Sequence, residues 1–359
     1  MTTVTVSGTA GADNIVLTPA QTQVIFDWQG GLDTVVFGAG TSEVLALNGP
    51  VGVLLNNSGG TERLVLNSAS DVIVRDISSV IGSTGADRIS DLFTTNTHVE
   101  AVETVIGHDG TNNSVFLNAT GPTTVTTALL ETIVSNATAD TMVILSGANA
   151  LRISAIDTLV GSASADAITL SGATTVTAAA IDTLTGTTDL DRVTLSGDNT
   201  LQAGAIDTIL GSASADAVTL SGPTTLTASG IDSLTGTTDA ERVTLSGDST
   251  LQVIGIDSLV GSTAAEIVTL SLGGTPMTVS NIDTLVAVPG GLDSVTFSGA
   301  ATTTVAGVDN LVGSASAEMV TLWKTPTMRA RNLYTKSRCT SEPLAHQGKH
   351  VKFAHVFAF

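Results

Sequence analysis

The chain has 359 residues and a formal net charge of −20; 42% of its residues are hydrophobic, but only 3% are aromatic. So few aromatic side chains argue against a thick globular core, while the hydrophobic fraction argues against a disordered chain. Residues 1–322 contain 32 acidic residues, six arginines and no lysine. This body is not expected to bind nucleic acid, which requires cationic side chains. We expect thin coils that bury small aliphatic residues and a surface that attracts metal cations.

A repeat runs through this body with a fixed period of about 25 residues, which is typical of repeat architectures. The segment 156–172 recurs at 206–222, and a sister segment begins at Ile181 and again at Ile231, so the units are doubled into pairs. One apolar anchor residue marks each of twelve units: Ile25, Val51, Ile77, Val102, Leu130, Ile156, Ile181, Ile206, Ile231, Ile256, Ile282 and Val308.

Each unit is predicted to form three short strands separated by glycines and small polar clusters. In the unit that begins at Ile206, they lie around 206–209, 218–220 and 225–227. In the second strand Val218 and Leu220 alternate with Thr219, the period of two expected of a strand. The predicted fold class is therefore all-β, a parallel β-helix (β-solenoid) spanning residues 1–322. We expect about twelve coils, each of about 25 residues and with three short strands.

The C-terminal segment 323–359 has a different composition and no repeat. It carries seven lysines and arginines, one acid and the only cysteine, Cys339, so no intrachain disulfide is expected. We predict a basic, non-repetitive tail outside the solenoid. Three interpretations stay open for it: a disordered segment, a secretion signal, or a frame-shifted sequence.

A first column of acidic residues directly follows the anchors. If one repeat makes one coil, its members stack about 4.8 Å apart, where two unit charges repel by roughly 3 kcal/mol at an effective dielectric near 20. An Asp at a strand corner can accept hydrogen bonds from nearby backbone N–H groups or from the adjacent Thr, an Asx turn that fixes the bend. A structural role is therefore predicted here, and metal binding is the alternative. The members are Glu103, Glu131, Asp157, Asp182, Asp207, Asp232, Asp257, Asp283 and Asp309.

A second column lies ten residues after the anchors, at Asp87, Asp140, Asp166, Asp191, Asp216, Glu241, Glu266 and Glu318. Its local context is a motif. The segments 8–16 and 82–90 fit Gly-Gly-x-Gly-x-Asp-x-apolar-x except at the second glycine. The segments 161–169 and 211–219 keep the first glycine, the Asp and the apolar residue, and the Gly-Leu-Asp sequences ending at Asp33 and Asp293 look like further remnants.

These segments resemble the calcium-binding nonapeptide of RTX (hemolysin-type) proteins. The resemblance implies that turn carbonyls and carboxylates hold Ca²⁺ between neighbouring coils, since calcium takes six to eight oxygen ligands. Unlike the tandem family repeats, the motif occurs here only once in each repeat. The alternative is a polar turn with solvated carboxylates, whose charge Arg192 and Arg242 partly offset. The predicted calcium ligands are Asp13, Asp33, Asp87, Asp140, Asp166, Asp191, Asp216, Glu241, Glu266 and Asp293.

The resemblance implies a secreted, calcium-binding structural or cell-surface protein, such as a surface-layer, adhesin-stalk or matrix component. Residues 1–8 lack the features of a signal peptide, so a bacterial type I-like export route to an extracellular or cell-surface location is expected. No apolar run is long enough to span a membrane. Expected partners are calcium ions, the chain itself by end-to-end or lateral assembly, or cell-surface glycans.

The sequence leaves two alternative functions open. The first is a metal-independent, self-assembling filament or adhesin subunit. The second, a polysaccharide-acting enzyme, is disfavoured because the body has two histidines, no lysine and none of the common catalytic motifs. We therefore predict no enzymatic activity. Thr-x-Thr ladders resembling ice-binding arrays are interrupted by Gln202 and Gln252, so ordinary β-propensity explains them better.

Overall fold

The computed structural model divides into two compact units, residues 1–183 and 184–359. Among the described residues no helix is present, and hence none that could cross a membrane. The described residues are 3–16, 23–27, 34–36, 44–48, 53–56, 63–75, 77–91, 96–108, 113–118, 123–136, 141–271, 276–288, 293–299, 301–314, 318–323 and 352–357.

The strands follow one another along the chain at short intervals. The odd-numbered strands are β1 (Thr3–Ser7), β3 (Gln23–Asp27), β5 (Val44–Asn48), β7 (Arg63–Leu66), β9 (Ser79–Ile81), β11 (Asn96–Glu100), β13 (Ser114–Leu117), β15 (Thr132–Ser135), β17 (Asn149–Ser154), β19 (Asp166–Leu170), β21 (Thr183–Thr185), β23 (Asn199–Gly204), β25 (Asp216–Leu220), β27 (Ser233–Thr235), β29 (Ser249–Ile254), β31 (Glu266–Leu270), β33 (Thr284–Ala287), β35 (Ala301–Ala306) and β37 (Glu318–Trp323). The even-numbered strands are β2 (Asn14–Val16), β4 (Thr34–Val36), β6 (Val53–Asn56), β8 (Asp71–Arg75), β10 (Arg88–Asp91), β12 (Thr104–Ile106), β14 (Thr123–Ala128), β16 (Thr141–Leu145), β18 (Thr158–Val160), β20 (Thr174–Ala179), β22 (Asp191–Leu195), β24 (Thr208–Leu210), β26 (Thr224–Ser229), β28 (Glu241–Leu245), β30 (Ser258–Val260), β32 (Pro276–Ser280), β34 (Ser294–Phe297), β36 (Asn310–Val312) and β38 (Lys352–Phe357).

Within each unit, a strand pairs in parallel with the next strand but one. In unit 1, β17 pairs with β19 and β16 with β18. In unit 2, β23 pairs with β25 and β22 with β24. The chain therefore alternates between an odd sheet and an even sheet. The predicted all-β, parallel β-solenoid is confirmed.

The pairing revises the length of one coil. In unit 2 the paired residues are 17 positions apart between β23 and β25 (Asn199 with Asp216), 16 between β25 and β27 (Ala217 with Ser233) and 19 between β27 and β29 (Ser233 with Gln252). The 25-residue repeat does contain three strands, as predicted, but two strands return the chain to the same sheet. One repeat therefore makes one and a half turns, and successive repeats begin on opposite sheets.

This geometry explains why the repeats are doubled. Equivalent residues two repeats apart lie on the same sheet, whereas those one repeat apart lie on opposite sheets. In unit 2, the position after the buried acid is Arg192 in β22 and Arg242 in β28, both in the even sheet. The equivalent positions of the odd sheet hold Ala217 and Ile267. A solenoid with two chemically different faces thus requires a period of two repeats.

The core consists of small aliphatic side chains that alternate with outward polar residues. In β25, Val218 and Leu220 are buried and Thr219 is exposed, as the sequence predicted. From Ile77 onward the predicted anchors lie at the corners between strands, whereas Ile25 lies within β3 and Val51 is outside the described residues. Those whose burial is described are at most 6% exposed: Ile77, Val102, Leu130, Ile156, Ile181, Ile206, Ile231, Ile256, Ile282 and Val308.

The last strand of the solenoid departs from the parallel arrangement. β37 pairs in parallel with β35 on one side and antiparallel with β38 on the other. β38 comes from the C-terminal segment, which the sequence predicted to lie outside the solenoid. The tail therefore contributes a strand to the end of the odd sheet, while residues 324–351 lie outside the described residues.

Each corner brings two backbone segments into close approach. The residue before the anchor has a positive φ, for example +53° at Ala180, +51° at Ala205 and +65° at Gly230. Its carbonyl group abuts the first glycine of the loop one turn earlier. A Cβ added at Gly211 would lie 1.9 Å from the carbonyl oxygen of Gly230. The first glycine of the motif is therefore required for packing between turns.

Substitution of Gly211 by Ala is expected to destabilise the chain by more than about 4 kcal/mol, because the new methyl group collides with backbone that cannot move without breaking the sheet. Gly230→Ala is the matched control at the other side of the same contact. A Cβ at Gly230 would lie 3.3 Å from the carbonyl oxygen of Gly211, a tight contact but no collision. Ala already adopts a similar positive φ at position 205, so a loss of only about 1–2 kcal/mol is expected. Urea unfolding followed by circular dichroism measures both; equal losses would contradict the close-approach argument.

Candidate functional site

The acids of the second column lie where the chain crosses from one sheet to the other. From Asp166 to Glu266, each is the first residue of a strand and directly follows a short loop that begins with glycine. These side chains are buried rather than solvated. Exposure is at most 1% for Asp87, Asp166, Asp191, Asp216, Glu241 and Glu266, and 5% for Asp293.

The remaining predicted ligands are placed differently. Asp13 is only partly buried. Its carboxylate accepts hydrogen bonds from the N–H of Thr9 at 2.5 Å and from the Thr9 hydroxyl at 3.0 Å. Asp33 and Asp140 lie outside the described residues, so the prediction for them stays untested.

The Asp216 loop shows how the buried carboxylate works. Its Oδ2 accepts the N–H of Ser212 at 2.6 Å, four residues back, and its Oδ1 accepts the side-chain amide of Asn199 at 2.8 Å, one turn earlier. Within the loop, the hydroxyl of Ser212 accepts the N–H of Ser214 at 3.0 Å. The carboxylate therefore closes its own loop and links it to the preceding turn.

The same arrangement recurs with different donors. Asp166 accepts the N–H of Ser162 at 2.7 Å and the amide of Asn149 at 2.8 Å. Asp87 instead accepts the N–H of Ser70 at 2.8 Å, together with the N–H and hydroxyl of Ser83. In each case both carboxylate oxygens face hydrogen-bond donors of the protein, as a buried carboxylate requires.

The first-column acids extend these hydrogen bonds to a third turn, and we call the resulting series of linked side chains the ladder. Asp232 accepts the N–H of Asp216 at 2.9 Å, so each first-column acid binds the backbone of a second-column residue one turn earlier on the same sheet. The first column does accept backbone hydrogen bonds, as predicted, but from an N–H 16 to 18 positions earlier in the chain and not from the local Asx turn that was expected. The other pairs are Glu103 with Asp87, Glu131 with Asn113, Asp157 with Thr141, Asp182 with Asp166, Asp207 with Asp191, Asp257 with Glu241, Asp283 with Glu266 and Asp309 with Asp293.

The columns do not stack as the sequence argument assumed. Because one repeat makes one and a half turns, successive members of a column lie at opposite edges of the two sheets. Members at the same edge are three turns apart, about 14 Å at the usual strand spacing. At that distance the repulsion is roughly 1 kcal/mol at an effective dielectric near 20, before salt screening. Repulsion between members of one column is therefore weak, and the acid one turn away belongs to the other column, as Asp232 does relative to Asp216.

Several residues of this ladder were missed by the sequence analysis. Asn113 and Thr141 occupy the second-column position in their repeats; both are buried, and each donates its N–H to a first-column acid. They lie one position further from their anchors than the other members, which is why Asp140 was selected in place of Thr141. The partners Asn149 and Asn199 precede their acids by 17 positions in the chain, an offset that only the pairing reveals.

The residues present do not favour calcium at Asp166 and Asp216. Calcium requires six to eight oxygen ligands, whereas amide donors already point at these carboxylates. In the described part of the chain, no group of three or more His, Cys, Asp or Glu side chains is arranged to hold a metal ion. The ladder is built from donors and acceptors of the protein itself.

Two repeats leave one carboxylate oxygen without a hydrogen-bond partner among the described residues: Oε2 of Glu241 and Oε2 of Glu266. At these sites Thr224 and Ser249 replace the asparagine of the preceding turn. Their hydroxyl groups donate instead to the carbonyls of Gly222 and Gly247, at 3.0 and 3.2 Å. We call each pair of a second-column acid and the residue aligned with it in the preceding turn a rung. The Thr–Glu and Ser–Glu rungs lack the side-chain hydrogen bond that joins the two residues of an Asn–Asp rung.

Comparisons of the chain with protein-family models, curated proteins and solved structures gave no match. The resemblance to RTX proteins therefore rests on the motifs alone and stays a prediction.

Replacing Asp216 by Ala is expected to reduce the free energy of unfolding by about 3 kcal/mol, because the buried donors of Ser212 and Asn199 lose their acceptor. Asp239→Ala is the matched control, because it removes the same charge from the same unit at a residue that is exposed in the next loop. That variant is expected to change stability by less than about 0.5 kcal/mol. Chemical unfolding of both variants gives the comparison, and equal effects would contradict a hydrogen-bonding role for Asp216.

The double substitution Thr224→Asn with Glu241→Asp is expected to stabilise the chain by about 1 kcal/mol, because it rebuilds the complete rung of Asn199 and Asp216. Each single substitution should give less than half of this gain, since neither alone supplies both partners. A double-mutant cycle in urea isolates the coupling energy. A coupling of zero would show that the incomplete rung is equally stable.

Proposed function

We propose that the chain is a structural subunit, a metal-independent solenoid of an extracellular or cell-surface filament or adhesin. The observation that carries this proposal is the burial of the second-column carboxylates with protein donors at their oxygens. Acids used in this way serve as fixed acceptors that hold successive turns together. Their repetition yields an elongating scaffold, because each repeat supplies the next with the same contacts.

The same observation argues against catalysis. An active site requires a local departure from the repeat, with titratable groups exposed to a substrate. Here the acids recur in equivalent loops of successive repeats, and those at the strand starts are buried. A non-enzymatic role is therefore part of the proposal.

Self-assembly is supported by the nature of a solenoid's ends. A terminal strand presents backbone N–H and C=O groups that another strand can pair with. Among the described strands, β1 has a single partner, β3. Electron microscopy and light scattering over a range of protein concentrations test this part of the proposal. Ordered assemblies are expected, and monodisperse monomers at every concentration would contradict it.

A calcium-binding structural protein of the RTX kind is the second candidate. The unpartnered carboxylate oxygens of Glu241 and Glu266 favour it, because a buried carboxylate oxygen without a donor is a potential metal ligand. Each lies at a separate loop, however, so any cation there would draw its other ligands from backbone carbonyls and water.

Thermal melting distinguishes the two candidates. We expect the melting temperature of the full chain to be the same in millimolar calcium chloride and in excess chelator, because donors of the protein already occupy both carboxylate oxygens of Asp87, Asp166 and Asp216. Magnesium chloride at equal ionic strength is the control for general screening of an acidic chain. A rise of several degrees with calcium alone would favour the second candidate, since a ligand that binds only the folded state stabilises it.

A further inference from the structure

Charge in unit 2 is segregated by position. Residues 184–322 contain 15 acidic residues and two arginines. The described acids lie in the loops at the two edges of the sheets or at the start of a strand, where Asp216, Glu241 and Glu266 are buried. The broad outer face of the odd sheet, here called the odd face of unit 2, receives none of them.

The odd face of unit 2 is formed by the outward side chains of the six odd-numbered strands from β23 to β33, and these side chains are all uncharged. Its central residues include Gln202, Thr219, Thr235, Gln252 and Ile267. Gln202, Thr219, Gln252 and Ile267 are exposed, and Ile267, a large apolar side chain, is 46% exposed. Over six successive described strands, a strongly acidic chain thus presents a neutral surface.

This neutrality is not a general property of the fold. On the even sheet of the same unit, the exposed Arg192 and Arg242 stand at the repeat position that Ala217 and Ile267 occupy on the odd sheet. In unit 1, the odd-numbered strand β17 carries the exposed Arg152. The doubled repeat therefore removes charge from one particular face.

We propose that the odd face of unit 2 is the surface through which two copies of the chain associate side by side. A charge-depleted centre surrounded by charged residues is the composition of protein–protein interfaces. The outward side chains stand in rows at the strand spacing of about 4.8 Å. A second copy presents rows with the same spacing. In a symmetric pair, each row of one copy can therefore align with a row of the other copy along the whole face.

The proposal rests on the proposed function as a self-assembling subunit and names the surface used. It also fixes the salt dependence. The acidic edges of the two copies border the interface and repel each other, and this repulsion is screened by added salt. Association is therefore strengthened by sodium chloride, whereas an interface held by ion pairs is weakened.

The test uses the full chain in chelator-containing buffer, with sedimentation velocity at low and high sodium chloride. The odd-face variant carries Gln202→Lys and Thr219→Lys, which are direct neighbours in β23 and β25. The matched control carries Thr227→Lys and Thr244→Lys, direct neighbours at the equivalent repeat positions of β26 and β28 in the even sheet. Both variants add the same charge at the same spacing, and circular dichroism verifies that both fold.

The odd-face variant is expected to weaken association by at least about tenfold, since buried like charges oppose each other across the interface. The even-face control is expected to stay within about twofold of the unmodified chain. Assembly that persists in the odd-face variant would overturn this inference and leave the proposed function standing. A chain that stays monomeric at every concentration and salt level would overturn both. Assembly that salt weakens, or retention of a monomer on an insoluble neutral polysaccharide, would overturn the side-by-side pairing.

Discussion

The hydrogen bonds from loop N–H groups to a buried carboxylate are the interaction on which the solenoid depends. A chain that crosses from one parallel sheet to another must turn sharply, and its turn amides still require acceptors. In the loop of Asp216, the carboxylate folds back on Ser212 and also receives Asn199 from the preceding turn. Its own N–H then binds Asp232 in the following turn. One acid therefore accepts the hydrogen bonds of the turn amides where the chain crosses between sheets, and it connects three successive turns. A short loop between the sheets is sufficient for this reason.

The non-integral relation between repeat and turn determines the surface chemistry. A repeat of one turn would present identical residues on one face only, whereas a repeat of one and a half turns presents each residue type on both faces alternately. The two faces become different only if alternate repeats differ. In this chain they do, with Arg192 and Arg242 on one sheet and Ala217 and Ile267 on the other. The doubling of the repeat in the sequence thus corresponds to two sheet faces with different side-chain chemistry.

The class of fold and the core are predictable from the sequence because both depend on local periodicity. The anchors recur at a fixed spacing, and alternation within a strand such as Val218–Leu220 directly gives the buried side. The coil length was not predictable in the same way, because a 25-residue period with three strands is compatible with two or three strands per turn. The wrong coil length also gave the wrong neighbours at the site. Asp166 and Asp216 do not stack on other acids of their column; they lie next to Asn149 and Asn199, respectively. Pairing partners 17 positions away leave no periodic signal of their own.

The departures from the RTX pattern have a physical explanation in the same loops. In a calcium loop, glycines let backbone carbonyls converge on a cation. Here the first glycine is kept because Gly211 abuts the backbone of Gly230, a packing requirement independent of metal. At the next position Ser212 provides a hydroxyl that accepts the N–H of Ser214, so the loop is held by its own side chain. The converging groups at Asp216 are N–H donors rather than oxygens, and donors attract the carboxylate directly. In a loop of this type the carboxylate itself takes the structural place that a cation has in a calcium loop, because N–H donors surround it.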